Sequence, residues 1–330
     1  MASLLPIPGL LTKAGVDPNE VIAEAGLDPA LFESPENTIP FADLGRFVTL
    51  CVRHSGCAHL GLLVGETMGT DVLGLVGRLA ASAADVRGGL QSIVEYLHLH
   101  DRGALPNVWV VGERAALAYV IHEPDVLATE QVYDAAMANA YNILKSLTGR
   151  LWEPIEVRFS RPCPAVIEPY RRFFRAYLRF DADQNAVVFP SYWLDAPVVT
   201  ADAATRQALL DQAQTLMQRE AGDVVVLLRR LLRRLLIQGA NEGTINLETV
   251  AGMSAVHRRT LNRRLRAEGT SFKEQLDAAR YDLARQLLRD TRLPVLKIAL
   301  ALGYCDSPTF TRAFRRWSGT SPGAWRSRLR

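Results

Sequence analysis

Residues 257–267 read HRRTLNRRLRA and residues 307–317 read SPTFTRAFRRW. In the first stretch Leu261 and Leu265 stand one helical turn apart and make a narrow apolar seam. That seam turns Arg258, Arg259, Asn262, Arg263 and Arg266 outward. In the second stretch Phe310, Phe314 and Trp317 make the seam. Asp306 is placed to cap the helix, and Pro308 falls in the first turn, where a missing N–H costs nothing. Ser307, Thr311 and Arg312 then face out near the helix start, with Arg315 and Arg316 one turn on. Each stretch is a short helix with a thin buried edge and a face of arginines and small polar groups.

Working outward, the preceding segments also match. Val250-Ala251 corresponds to Ile298-Ala299, 48 positions later, and Ser254-Ala255-Val256 corresponds to Leu302-Gly303-Tyr304. Leu261 and Leu265 correspond to Phe310 and Phe314, with one extra residue in the second turn. A short apolar helix, a tight turn and a basic second helix form the layout of a helix-turn-helix, whose second helix enters the major groove. The units are expected at about 246–267 and 294–317. Between them Ser271-Phe272-Lys273-Glu274 reads as a capping box opening a helix over 272–289. Such a connector fixes two reading helices, and successive major grooves recur ~34 Å apart on B-DNA. Arginine pairs with guanine O6 and N7 and asparagine with adenine N6 and N7, so both outward faces suit base edges. Arg258, Arg266, Arg315 and Arg316 are placed for phosphates.

Charge distribution agrees. Positions 240–330 hold 17 Lys and Arg against 8 Asp and Glu, whereas the rest of the chain holds 21 against 27. A basic end on an acidic body implies a polyanionic partner for that end. Residues 224–237 (VVVLLRRLLRRLLI) place leucines on one face and Arg229, Arg230, Arg233 and Arg234 on the other. This reads as a linker helix packed on its own protein rather than on a membrane surface. Gly239 and Gly243 mark the boundary after it. The expected organisation is a regulatory domain over 1–220, a helical linker over 221–239 and an all-α DNA-binding domain over 240–330.

The first two hundred residues mix two periodicities. Helices are expected over 40–54, over 82–99 from a Ser82-x-x-Asp85 capping box, over about 126–147, and over 165–177. A hairpin is expected over 107–122 about Gly112-Glu113-Arg114, with strands at 155–159 and 186–189. The fold class is therefore mixed α/β, one sheet covered by helices, joined to an all-α domain.

The C-terminal segment resembles the AraC/XylS family of bacterial transcription regulators. The residues that carry the resemblance are His257 to Leu265, Gly269-Thr270-Ser271-Phe272, Ala284-Arg285-Gln286-Leu287-Leu288, Ile298-Ala299 with Leu302-Gly303-Tyr304, and Phe310, Arg312, Ala313, Phe314, Arg316, Trp317, Gly319, Ser321 and Pro322. The resemblance implies base contacts from Arg259, Asn262 and Arg263 in the first unit and from Ser307, Thr311 and Arg312 in the second. Two positions depart from the family pattern. Ser254-Ala255 stands where a Leu-Gly turn is usual, which implies looser packing of the first helix, and Pro308 removes a polar side chain from a reading position. The first unit is accordingly expected to set sequence preference and the second mainly to anchor. The N-terminal region is similar to the α/β, non-cupin ligand-binding domain of one branch, through Leu75 to Leu79, Val188-Phe189-Pro190 and Trp193-Leu194-Asp195. That implies a small-molecule effector.

Other patterns carry less. Cys51, His54, Cys57 and His59 match no common zinc spacing, and His98, His100 and Asp101 close an amphipathic helix with no nucleophile motif nearby. G-x-S-x-G, phosphate-loop and H-E-x-x-H motifs are missing, so no cofactor, metal or catalytic residue is assigned. Tyr96, Trp109 and Tyr119 either line an effector pocket or are ordinary core aromatics. Four unpaired-looking cysteines and the lack of a leader or membrane span point to a cytoplasmic protein. The expected partners are double-stranded DNA and an effector, with RNA polymerase and a second copy of the chain as further candidates and no membrane. Two alternatives stand beside the regulator: an enzyme-like N-terminal domain fused to a DNA-binding module, and a constitutive dimeric DNA-binding protein.

Overall fold

The computed structural model describes residues 4–35, 37–123, 126–220, 224–237, 245–253 and 257–328. It divides into two units, Met1–Ala213 and Gln214–Arg330.

The first unit opens with helices α1 (Ile7–Lys13), α2 (Pro18–Glu24), α3 (Phe41–Ser55), α4 (Leu60–Glu66), α5 (Leu75–Ala81) and α6 (Val86–Tyr96). The hairpin of β1 (Ala104–Val111) and β2 (Arg114–Ile121) follows, then α7 (Thr129–Thr148), β3 (Glu156–Arg158), α8 (Glu168–Phe174), β4 (Tyr177–Arg179) and β5 (Ala186–Pro190). The five strands form one sheet in the order β1-β2-β5-β3-β4, antiparallel except for the β3/β4 pair. The hairpin closes through Gly112 and Glu113, with Val111 opposite Arg114. Helix α7 packs on β2 and β5 and on α4. Its Tyr133, Met137, Tyr141 and Leu144 recur at helical spacing on the buried side, and Gly149 ends it. Trp152, Phe159, Phe174 and Phe189 are fully buried beside it, with Tyr141 5.3 Å from Trp152. Burying each such ring is worth roughly 1.5–3 kcal/mol, so this aromatic cluster is a main anchor of the sheet on its helices.

Two local expectations are corrected. Ser82 does not open a capping box: it closes α5, its hydroxyl donating to Leu79 O at 3.2 Å. Asp85 is itself the cap of α6, accepting from Gly88 N at 2.8 Å. Residues 84–86 are drawn into backbone pairing with 196–198, through Val86 N to Ala196 O and Val198 N to Ala84 O. The helix expected over 165–177 is shorter, because Arg175 turns left-handed (φ 49°) and Tyr177–Arg179 becomes β4 beside β3. The aromatic spacing through Phe173, Phe174 and Tyr177 fits a helix equally well, and only the pairing with β3 separates them.

The second unit is all helical: α10 (Val224–Ile237), α11 (Leu247–Met253), α12 (Arg258–Ala267), α13 (Phe272–Asp290), α14 (Val295–Ala301), α15 (Ser307–Ser318) and α16 (Pro322–Ser327). The division between units falls inside α9 (Ala203–Glu220). Leu228, Leu231, Leu232, Leu235 and Leu236 of α10 are buried. On its polar side Arg229 donates to Gln275 Oε1 at 2.6 Å and Arg233 to Asp282 Oδ2 at 3.0 Å, both on α13. The side chains of Arg230 and Arg234, the boundary residues Gly239 and Gly243, and the turn Ser254-Ala255-Val256 lie outside the described residues. Among the described residues no single helix is long and apolar enough to cross a membrane.

Candidate functional site

The two basic helices are built alike. In the first pair Asn246 Oδ1 accepts from Glu248 N and Thr249 N at 3.0 and 2.9 Å and starts α11. Val250 and Ala251 of α11 are buried, and so are Leu261 and Leu265 of the packed α12. His257 caps α12, its Nδ1 accepting from Arg259 N at 3.2 Å. This is a role that the basic pattern around it concealed. Arg258, Arg259, Arg263 and Arg266 are exposed and Asn262 is half-buried.

In the second pair Ile298 and Ala299 bury α14 against α15, and the turn runs through Gly303 at φ 81°. A side chain there would be strained, which is why glycine stands in the turn. Tyr304 N closes the turn on Ala299 O at 2.9 Å. Asp306 caps α15, accepting from Thr309 N at 2.6 Å. That backbone bond, with the Thr309 hydroxyl and Arg312, holds the Asp306 carboxyl below the usual carboxylate range. Phe310 and Phe314 are fully buried, whereas Ser307 and Thr311 are half-buried and Arg312, Arg315 and Arg316 are exposed. Arg316 is also bonded to Asp277 Oδ2 of α13 at 3.0 Å, so its charge is already paired with a carboxylate.

The connector α13 has the expected capping box, Ser271 with Glu274. Its Arg280, overlooked in the sequence, is buried. Arg280 Nε donates to Leu302 O at 3.1 Å and the guanidinium lies 4.7 Å from the Tyr304 ring centre. Tyr281 contacts Phe314 and Trp317 at 5.7 and 5.8 Å. Helix α15 and the turn before it are thus fixed to the connector by aromatic and polar contacts respectively.

The first unit holds a cavity of about 670 Å³ lined by residues of α1, α3, α4, α6, α7 and the β1/β2 hairpin. Close approach of α4 to α7 makes part of its wall: an added Cβ at Gly61 would lie 2.0 Å from Gln131 O. Gln131 bridges the pair, accepting from Gly61 N at 2.8 Å and donating to Ala58 O at 2.9 Å. Of the aromatic candidates only Tyr119 lines the cavity. It donates to Asp101 Oδ2 at 2.6 Å, and burial followed by the Asp101 charge pushes its phenol well above the ordinary value. Trp109 stands opposite Ala116, an odd number of residues from Tyr119, and so lies on the other sheet face, over which Arg158 packs at 5.5 Å. Tyr96 is buried in α6 away from the lining. No sequence motif singles out Asn139, a buried polar residue of α7 that lines the cavity. Of the cysteine-histidine cluster, Cys51 is buried and His54 Nε2 lies 2.7 Å from Glu24.

Comparison with known proteins adds two family matches. A model described as the arabinose-binding domain of AraC transcription regulator, N-terminal, matches residues 15–198, and a helix-turn-helix domain model matches residues 250–328. The chain is 30% identical to the ornithine utilization regulator of Pseudomonas aeruginosa over 96% of this chain and 93% of that one. It is 27% identical to the HTH-type transcriptional regulator VirS of Mycobacterium tuberculosis, over 96% and 93%. The crystal structure of the transcriptional regulator CdpR from Pseudomonas aeruginosa aligns with 27% identity and a TM-score of 0.46, covering 94% of this chain and 96% of that one.

Proposed function

Because this chain belongs to the AraC family of transcription regulators, DNA-binding through its helix-turn-helix domain and not enzymatic, we propose that it is gated by a small molecule held in the cavity of its N-terminal unit. The observation that carries the reading is that cavity: about 670 Å³, largely apolar, with a few polar groups turned into it. Effector pockets have this size and character. A ligand acts here only through tighter binding to one arrangement of the protein than to another.

For the DNA side we assign base reading to Arg259, Asn262 and Arg263 on α12 and to Ser307, Thr311 and Arg312 on α15. Arg258, Arg266, Arg315 and Arg316 are assigned to phosphates. The exposed or half-buried position of all ten side chains supports the assignment. Residues 1–220 serve as the regulatory domain, 221–239 as the linker and 240–330 as the DNA-binding domain, and a second copy of the chain is the natural partner on a two-part operator.

The test is quantitative footprinting on the promoter that the protein binds. Asn262→Ala and Arg312→Ala should each weaken the specific site by ~1–3 kcal/mol and relax preference at one base pair. Unchanged footprints and base preference in both variants would sink the assignment.

A further inference from the structure

We propose that the cavity takes an amphipathic molecule with one hydrocarbon chain and one polar end, rather than a sugar or a free amino acid. This rests on reading the cavity as the effector site. The deep lining is apolar and desolvated: Ile7, Leu60, Val64, Leu73, Leu97 and Ile143 are all buried. The polar groups among them are mostly spent. Gln131 uses both ends of its amide on the backbone of Ala58 and Gly61, at the start of α4. Tyr119 gives its hydroxyl proton to Asp101, whose other oxygen already accepts from Gly103 N at 2.9 Å.

One group is left over. Asn139 Oδ1 has no hydrogen-bond partner among the described residues, and the residue is only 9% exposed. A buried acceptor of this kind is costly unless something donates to it. The other charged or hydroxyl side chains of the lining, Thr38, His100, Arg102 and Glu123, are exposed or half-buried. A pentose would bury several hydroxyls against a wall that is mostly apolar, and each unanswered hydroxyl forfeits its bonds to water. A free amino acid would bring two charges into a lining most of which is apolar. A hydrocarbon chain loses nothing there, and each methylene it buries raises affinity about fourfold. A single hydroxyl on that chain supplies the donor that Asn139 lacks, once the buried amide turns toward it.

The experiment is calorimetric titration of the full-length protein with hexan-1-ol, octan-1-ol, decan-1-ol, L-arabinose and L-ornithine. Affinity should rise roughly sixteenfold for each two-carbon step along the alcohols, with no measurable binding of arabinose or ornithine. Ala136→Phe, which fills the cavity from α7, should weaken decan-1-ol at least tenfold. Asn139→Leu should keep the chain-length dependence while weakening every alcohol by the same factor. A flat alcohol series, or tighter binding of arabinose or ornithine than of decan-1-ol, overturns the proposed ligand class and leaves the effector reading standing. Decan-1-ol that binds as expected without changing promoter affinity instead overturns the effector reading and leaves the ligand class standing. If Ala136→Phe fails to fold, the alcohol series and Asn139→Leu decide.

Discussion

Arg280→Ala is the substitution that most directly tests how the second reading helix is held. Arg280 is 6% exposed, and its Nε answers the carbonyl of Leu302, where α14 ends. Helix ends leave carbonyls unsatisfied and favour a positive charge, so one side chain serves both needs. A hydrogen bond to a charged group contributes about 1.5–3 kcal/mol, and a desolvated cation–π contact such as that with Tyr304 about 2 kcal/mol. The two share one guanidinium and do not add fully, so a loss of about 3 kcal/mol is expected. For a unit of this size that corresponds to a fall in melting temperature of about 12 °C. The assay is scanning calorimetry of the full chain, following the transition that operator DNA raises, since DNA stabilises the unit it binds. Footprinting should show weakened protection on the part of the site read by α15, with the part read by α12 retained. Arg280→Lys keeps the charge without the planar fork and should recover only part of the loss. A variant Arg280→Ala that melts within 2 °C of the parent with full protection on both parts would refute the reasoning.

Two further expectations concern other parts of the molecule. Arg315 is exposed on α15 and assigned to a phosphate, so Arg315→Ala should weaken specific and nonspecific sequences alike and reduce the salt slope of binding by about 1; a loss confined to one base position would contradict this. Asp134 is buried with Arg161 Nη2 at 2.9 Å and Tyr170 Oη at 2.6 Å, and burial pushes its carboxyl up to about 6 against the opposing pull of Arg161. A carboxyl raised in the fold binds its proton before the unfolded chain does, so its contribution to stability grows as pH falls through about 6 toward the ordinary value near 4. The urea midpoint of the parent relative to Asp134→Asn should therefore rise between pH 7.5 and pH 5, and a difference that shrinks over that range would show the carboxyl is lowered instead.

How far the chain could be read without its structure follows from the range of the forces involved. Leu261 with Leu265, Phe310 with Phe314, the Asp306 cap and the Ser271-Glu274 capping box are all settled within four residues of chain. Helical periodicity and capping are local, so the two basic helices, their connector and the family to which they point were legible in the sequence. The β1/β2 hairpin was legible for the same reason, since its turn is short and its strands alternate. Contacts between distant residues were not. The Tyr177–Arg179 strand exists because β3 lies beside it, and Ser82 and Asp85 part company because residues 196–198 pair with the link between them. Arg280 looked like one more basic residue until the fold placed Leu302 O and Tyr304 against it. The cavity is the fullest case: Tyr119, Gln131 and Asn139 are dispersed in the sequence and meet only when α7 packs between α4 and the hairpin. Sequence by itself determined which end carries the DNA-binding helix-turn-helix domain. Tertiary structure alone decided where the cavity lies, because such a space belongs to the packing of several elements and to none of them singly.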